Sequence, residues 1–210
     1  MCASLVQNRA RLIDVGTDHA YLPVYLLKRG LIESAVASDI NEGPLEAGKA
    51  DAEKYSAGNI EFRLGSGLSV VSPEDRITDA VIAGMGGDII GQIILDSPLT
   101  RDKNLNLVLQ PMTRAPELIS LLYENGFAVK KQLCAESHGK VYTALSAGFT
   151  GEKRTLSGTE AYTGKLDLSE NDSRLFLKKH IRNLKNKGKG DKSCLTLADE
   201  LENILKSYEN

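Results

Sequence analysis

Apolar positions along the chain fall into two recurring patterns. Short apolar runs occur at Leu12, Ile13 and Val15, broken by one acid, at residues 35–39, which end in an acid, at residues 79–83 and at residues 105–109. Runs of this length read as buried strands. An alternating stretch at residues 59–64 reads as another strand. Between them, residues 21–29, 41–55, 89–95 and 115–125 carry apolar positions at helical spacing, several closed by a glycine such as Gly30 or Gly126. Two consecutive strands, residues 127–133 and 141–147, follow with a short connection through Glu136 to Lys140. The pattern predicts five αβ repeats closed by an antiparallel hairpin, an α/β fold with a doubly wound, mostly parallel sheet.

Beyond Gly148 the pattern changes. Residues 150–167 hold Gly, Thr, Ser and charges, and read as linker or partly ordered loop. Residues 173–187 place Leu175, Phe176, Ile181 and Leu184 among basic residues. Gly188, Lys189 and Gly190 interrupt, and Leu195, Leu197, Leu201, Ile204 and Leu205 resume the spacing among acids. Two amphipathic helices joined by a glycine-rich turn make an αα-hairpin. The predicted organisation is therefore a sheet domain over residues 1–148 and a linker plus helical hairpin over residues 149–210.

Charge sharpens this division. The 210 residues carry a net charge of −2, which argues against a uniformly basic nucleic-acid coat. Counting from the sequence, residues 1–148 hold 14 Lys+Arg and 18 Asp+Glu, and residues 149–210 hold 12 and 10. Eight basic residues face one acid between Arg174 and Lys192. This helix either tracks RNA phosphates or is a solvated face paired with the acidic second helix. The RNA reading is favoured because charge continues past the helix, and it names Arg174, Lys178, Lys179, Arg182, Lys185 and Lys189. Cys2, Cys134 and Cys194 are scattered, so neither a zinc site nor a disulfide framework is expected. No run spans a membrane, and residues 1–8 lack signal-peptide features. A cytoplasmic protein with reduced thiols and no obligate protein partner is the expectation. The first strand begins about ten residues in, with little room for a preceding helix.

The chemistry gathers at strand ends. After the first strand comes Gly16-Thr17-Asp18-His19-Ala20, a tight turn into a helix. Backbone N–H groups and a helix N-terminus converge at such a turn, and a glycine lets a ligand approach. The dinucleotide fingerprint G-x-G-x-x-G is not met, and an acid here repels a pyrophosphate. S-adenosylmethionine (SAM) has no phosphate and carries a sulfonium and an ammonium, so Asp14 and Asp18 suit it better than NAD. Asp39 ends the second strand, where an acid accepts hydrogen bonds from ribose hydroxyls, or else caps the next helix. Gly65, Ser66, Gly67 and Leu68 follow the third strand as either an adenine-bordering turn or a plain loop. Gly84, Met85, Gly86 and Gly87 follow the fourth, at the point where the strand order reverses and the ligand crevice lies.

Together these landmarks resemble one family, the bacterial tRNA adenine-22 N1-methyltransferases, which are class I SAM enzymes. The stretches that carry the likeness are Asp14-Val15-Gly16-Thr17-Asp18-His19-Ala20-Tyr21-Leu22-Pro23, Ile82-Ala83-Gly84-Met85-Gly86-Gly87 and Leu109-Gln110-Pro111. The resemblance covers residues 11–147 and implies a Rossmann-like, seven-stranded methyltransferase sheet with a C-terminal coiled-coil hairpin that helps to hold tRNA. It implies that Asp14, Gly16 and Thr17 surround the methionine end of SAM. It puts Asp39, with Ile40 and Asn41, at the ribose, and residues 65–68 at the adenine, with Gly84 and Met85 also bordering the cofactor. Ser66 departs from the more polar or acidic residue expected there, and the family's leading helix is missing. Asp18 is the expected stabiliser of the cationic methylated base, His19 an adjacent polar contact, and Gly84, Met85 and Gly86 the surface that receives the extruded adenine. A SAM enzyme acting on a small molecule and a noncatalytic RNA-binding protein on the same fold are the competing readings.

Overall fold

The structure, a computed structural model, describes residues 1–208. Seven strands form one sheet: β1 (Ala10–Val15), β2 (Ile32–Asp39), β3 (Ile60–Leu64), β4 (Asp79–Gly86), β5 (Asn106–Thr113), β6 (Phe127–Ser137) and β7 (Lys140–Phe149). Their order is β3-β2-β1-β4-β5-β7-β6. The first five strands run parallel, and β7 runs antiparallel to both β5 and β6. Helices α1 (Tyr21–Lys28), α2 (Glu42–Lys54), α3 (Gly87–Asp96) and α4 (Ala115–Glu124) supply the crossovers. The strand order reverses between β1 and β4, so their C-terminal ends border a crevice.

The central strands are apolar on both faces because both faces are covered. Ile13, Ile82, Leu107 and Leu109 point to one side, where they join Ile90 of α3 and Leu118 of α4. Leu12, Val81 and Val108 point to the other, where they meet Leu26 of α1 and Leu5. This is the period-two alternation of a strand, with apolar residues on both phases.

Three expectations need correction. The crossover from β3 to β4 holds no α-helix, only a 3-10 turn at Pro73–Asp75, so four helical crossovers replace five αβ repeats. The hairpin strands extend further than their apolar cores. They run to a two-residue turn at His138 and Gly139, both at positive φ (51° and 74°), the geometry that matches strand twist. Residues 150–167 are not simply linker. They contain α5 (Gly158–Thr163), whose N-terminus is closed by a reciprocal capping box between Ser157 and Glu160.

The C-terminal hairpin forms as the spacing predicts. Helices α6 (Asn171–Lys187) and α7 (Lys192–Lys206) pack Leu177, Ile181 and Leu184 against Ala198, Leu201 and Leu205. It is docked on the sheet edge. Lys165 N donates to Gln132 Oε1 at 2.9 Å, Glu136 N to Asp172 Oδ2 at 3.2 Å, and Lys179 Nζ to the Val141 carbonyl at 3.3 Å.

A buried polar cluster anchors the opposite end of the sheet. Asp79 is fully buried. Its carboxylate accepts four hydrogen bonds: from Gln7 N and Nε2, Thr78 Oγ1 and Asn106 Nδ2, the last at 2.6 Å. Ser146 Oγ donates to Asn106 Oδ1 at 2.9 Å, which ties β7 into the cluster.

Candidate active site

The site is built from the C-terminal ends of β1, β2 and β4. Leaving β1, the chain turns at Gly16 with φ +70°, and Gly16 N and Thr17 N both donate to the Ser38 carbonyl of β2. Asp18 and Ala20 also take left-handed angles, φ 50° and 53°. Aspartate tolerates that region and alanine is strained in it. The strain is held by packing: Ala20 is fully buried, and a Cβ on Gly48 of α2 would lie 3.3 Å from the Ala20 methyl and from the Asp18 carbonyl oxygen, and 2.8 Å from Phe62 Cε1.

Asp14 sits at the centre. Only 7% of it is exposed. Burial pushes its carboxyl up to about 6, against a 2.7 Å hydrogen bond from Thr17 Oγ1 to Oδ2 that lowers it. Oδ1 has no hydrogen bond, and no fully buried side-chain polar atom among the described residues lacks a partner, so Oδ1 reaches the surface. The Asp18 carboxylate is exposed and makes no hydrogen bond among the described residues. His19, in contrast, is committed. Its Nδ1 lies 2.9 Å from Asp51 Oδ2 of α2, and its ring stacks on Tyr21 at 5.0 Å.

The end of β4 closes on the same point. A Cβ on Gly16 would lie 2.3 Å from Met85 Cε, so the two motifs are in contact. Of the glycines in this stretch only Gly84 is left-handed, at φ +77°, and a Cβ there would meet nothing within 4 Å. Gly84 N is held by Gln110 Oε1 at 2.9 Å, a positioning contact to which the sequence reading gave no role. Gly86 ends β4 in extended geometry, and Gly87 starts α3 against the Arg114 carbonyl.

At the end of β2, Asp39 Oδ1 accepts from Asn41 N at 2.9 Å and more weakly from Asn41 Nδ2, while Oδ2 has no partner among the described residues. Ile40 beside it is 67% exposed, and Leu64 at the end of β3 is 54% exposed. These two supply the apolar surface at this edge. Leu68 is largely buried and packs into the core beneath. Ser66, Gly67 and Leu68 line one wall of a cleft of about 440 Å³ whose other wall includes Ile93 of α3.

The six cations of α6 and its turn do not act alike. Arg174 donates to the Leu168 and Ser169 carbonyls, Lys179 to Val141, and Lys185 pairs with Glu202 of α7. Lys178, Arg182, Lys185 and Lys189 are exposed. Lys178, Arg182 and Lys185 line a groove shared with α7.

A seven-stranded sheet in this order, with an acid and a left-handed glycine at its central crevice, has the architecture of a class I methyltransferase. In agreement, residues 1–145 match the family described as a methyltransferase domain. The tRNA (adenine(22)-N(1))-methyltransferase of Bacillus subtilis is 32% identical over 187 residues, spanning 87% of this chain and 78% of that protein. The crystal structure of Streptococcus pneumoniae Sp1610 in complex with S-adenosyl-L-methionine is 31% identical and superposes with a TM-score of 0.84, covering 97% of this chain and 96% of that one. That of the M1A22 tRNA methyltransferase TrmK from B. subtilis is 26% identical, with a TM-score of 0.79 over 99% and 94%. The chain belongs to the bacterial tRNA (adenine-22-N1)-methyltransferase family.

Proposed function

We infer that this protein transfers the methyl group of SAM to N1 of adenine 22 in tRNA. The observation that carries the reading is the likeness to these methyltransferases over nearly the whole chain, helical hairpin included. The residues fit the cofactor. Asp14 offers one surface-reaching oxygen in an otherwise buried carboxylate, matched to a cationic ligand. Gly84, next to the Met85 that meets Gly16, leaves open space, and Asp39 keeps one free oxygen for a ribose hydroxyl. When bound, SAM supplies a methyl group activated by its sulfonium.

The protein's own task is then limited. N1 of adenine has an in-plane lone pair and attacks without losing a proton, so no general base is needed. Methylation leaves a positive charge on the base. Asp18, exposed beside Gly16, stabilises that charge. Met85 gives the base an apolar surface, and Gly84, pinned by Gln110, keeps the backbone open for its approach. His19, tied to Asp51, holds the turn in shape. The exposed cations of α6 hold tRNA phosphates, and residues 149–210 form an RNA-holding unit docked on the methyltransferase domain. We place the protein in the cytoplasm, with its substrate. Among the described residues no helix is long and apolar enough to cross a membrane.

Incubating unmodified tRNA with the protein and isotopically labelled SAM tests this reading. Mass spectrometry of nuclease fragments should find one labelled methyl, on the adenosine at position 22. A label on a small molecule alone, or no transfer to tRNA, overturns it.

A further inference from the structure

One strand beyond Met85 lies a cleft that the site described above does not use. Met85 pairs with Pro111, and Gly86 with Thr113, across β4 and β5. From there residues 111–115, residues 140–143 of β7 and one face of α6 enclose a space of about 400 Å³. Arg114, Lys140 and Lys179 line it, and among the described residues no Asp or Glu does. The acid paired with Arg114 is Asp88, 3.7 Å away, with both side chains more than half exposed. Such a contact is weak and yields readily to a stronger anion. In a chain of net charge −2, three cations around a space without a carboxylate concentrate positive potential.

The rest of the lining is apolar or neutral. Met112 is 49% exposed, Tyr142 is half-buried and Phe176 is buried. His180 packs edge-on against Phe176 and Tyr162, and burial next to Lys179 and Lys187 pushes it down to about 4. It contributes a neutral ring. A cationic rim over the half-exposed Met112 and the half-buried Tyr142 matches a nucleotide, with phosphate on the rim and base on the apolar wall. The face of α6 that carries Lys179 and Asn183 meets this cleft, while the face carrying Lys178, Arg182 and Lys185 meets α7.

We propose that this cleft is a subsite for the RNA strand adjoining the target adenine, with a phosphodiester held by Arg114, Lys140 and Lys179 and a neighbouring base against Met112 and Tyr142. The proposal rests on the reading of the protein as a tRNA methyltransferase. It makes the path from the crevice to the hairpin continuous: crevice, cleft, then the outer cations of α6.

The test uses the full chain and unmodified tRNA. Lys140→Glu reverses one charge in the cleft, Arg114→Asn removes another with a residue that tolerates its left-handed angle (φ 57°), and Lys28→Glu makes the same reversal at the end of α1. Tyr21, the other end of α1, follows the turn at the C-terminal end of β1, so Lys28 lies toward the opposite, N-terminal end of the parallel strands. Lys140→Glu should weaken tRNA binding by about tenfold and reduce the slope of log affinity against log salt by about 0.7–0.9. Arg114→Asn should act in the same direction, Lys140→Arg should restore binding, and SAM affinity should not change in any of them. Lys28→Glu should bind tRNA as the wild type does. If the wild type methylates tRNA but Lys140→Glu and Lys28→Glu bind it equally well, the subsite is wrong and the enzymatic reading stands. If the wild type methylates no tRNA, both fall.

Discussion

Two carboxylates in the same sheet have opposite fates. Asp79, at the N-terminal end of β4, accepts four hydrogen bonds and has no exposed surface. Asp14, at the C-terminal end of β1, accepts one side-chain hydrogen bond and keeps an oxygen at the surface. Both are short acids among apolar strand residues. The protein spends the first on holding itself together: the cluster joins residues 5–7, β4, β5 and β7. It leaves the second under-satisfied, at the point where three left-handed residues and Met85 converge. A buried acid with all its acceptors used is architecture. One with a spare oxygen and a raised pKa, beside a strained turn, is a candidate for meeting a ligand.

Removing the acids should separate the two roles. The largest effect on stability is expected for Asp79→Ala. It removes a charged hydrogen bond from the buried Asn106 amide, which keeps the Leu5 carbonyl, at about 1.5–3 kcal/mol, and weaker bonds from the exposed Gln7 and from Thr78 at about 0.5–1.5, for roughly 2–4.5 kcal/mol in all. Thermal unfolding should show the loss, and SAM affinity measured well below the transition should be unchanged. A loss of SAM affinity without a loss of stability would erase the distinction between the two ends of the sheet.

How much of this was legible in the chain follows the same division. The strands, the crevice at Gly16 and Gly84, and the two C-terminal helices are readable because apolar period and glycine position are local signals. Asp79 gave no sign of its role, since its partners are Gln7, Asn106 and, through Asn106, Ser146, far apart in sequence. Helix α5 did leave a signal, Ser157 followed three residues later by Glu160, but it is six residues long and sits in loop-like composition. The cations of α6 look equivalent in sequence. Only packing reveals that Arg174 and Lys179 are bonded to backbone carbonyls while Arg182 and Lys189 stay exposed. His19 reads as a polar site residue beside Asp18, and its partner Asp51 lies 32 residues away.

A second, somewhat smaller effect is expected at the turn itself. Asp18→Asn keeps the shape and the tolerance for φ 50° while removing the charge. Single-turnover methyl transfer should slow by about 10²–10³, or roughly 2–4 kcal/mol, with SAM and tRNA binding little altered. Near-normal rates in Asp18→Asn, with a loss only in Asp18→Ala, would assign position 18 to geometry and hydrogen bonding.

Asp14 offers the most direct measurement. Its carboxyl is raised from 3.8 to about 6 in the folded protein. Between those values the folded state binds more protons than the unfolded one, so this group lowers stability as pH rises through that window and exerts its full cost above it. A bound cation reverses the preference and favours the ionised form. Titrating SAM from pH 8 to pH 5, the account predicts constant affinity above about 6 and a decline approaching tenfold per pH unit below it. In Asp14→Asn the ligand-free protein should unfold at a higher temperature than the wild type at pH 8, bind SAM more weakly and lose the pH dependence. Unchanged SAM affinity in Asp14→Asn, with the same pH profile as the wild type, would contradict the claim that this carboxylate is held in reserve for the cofactor.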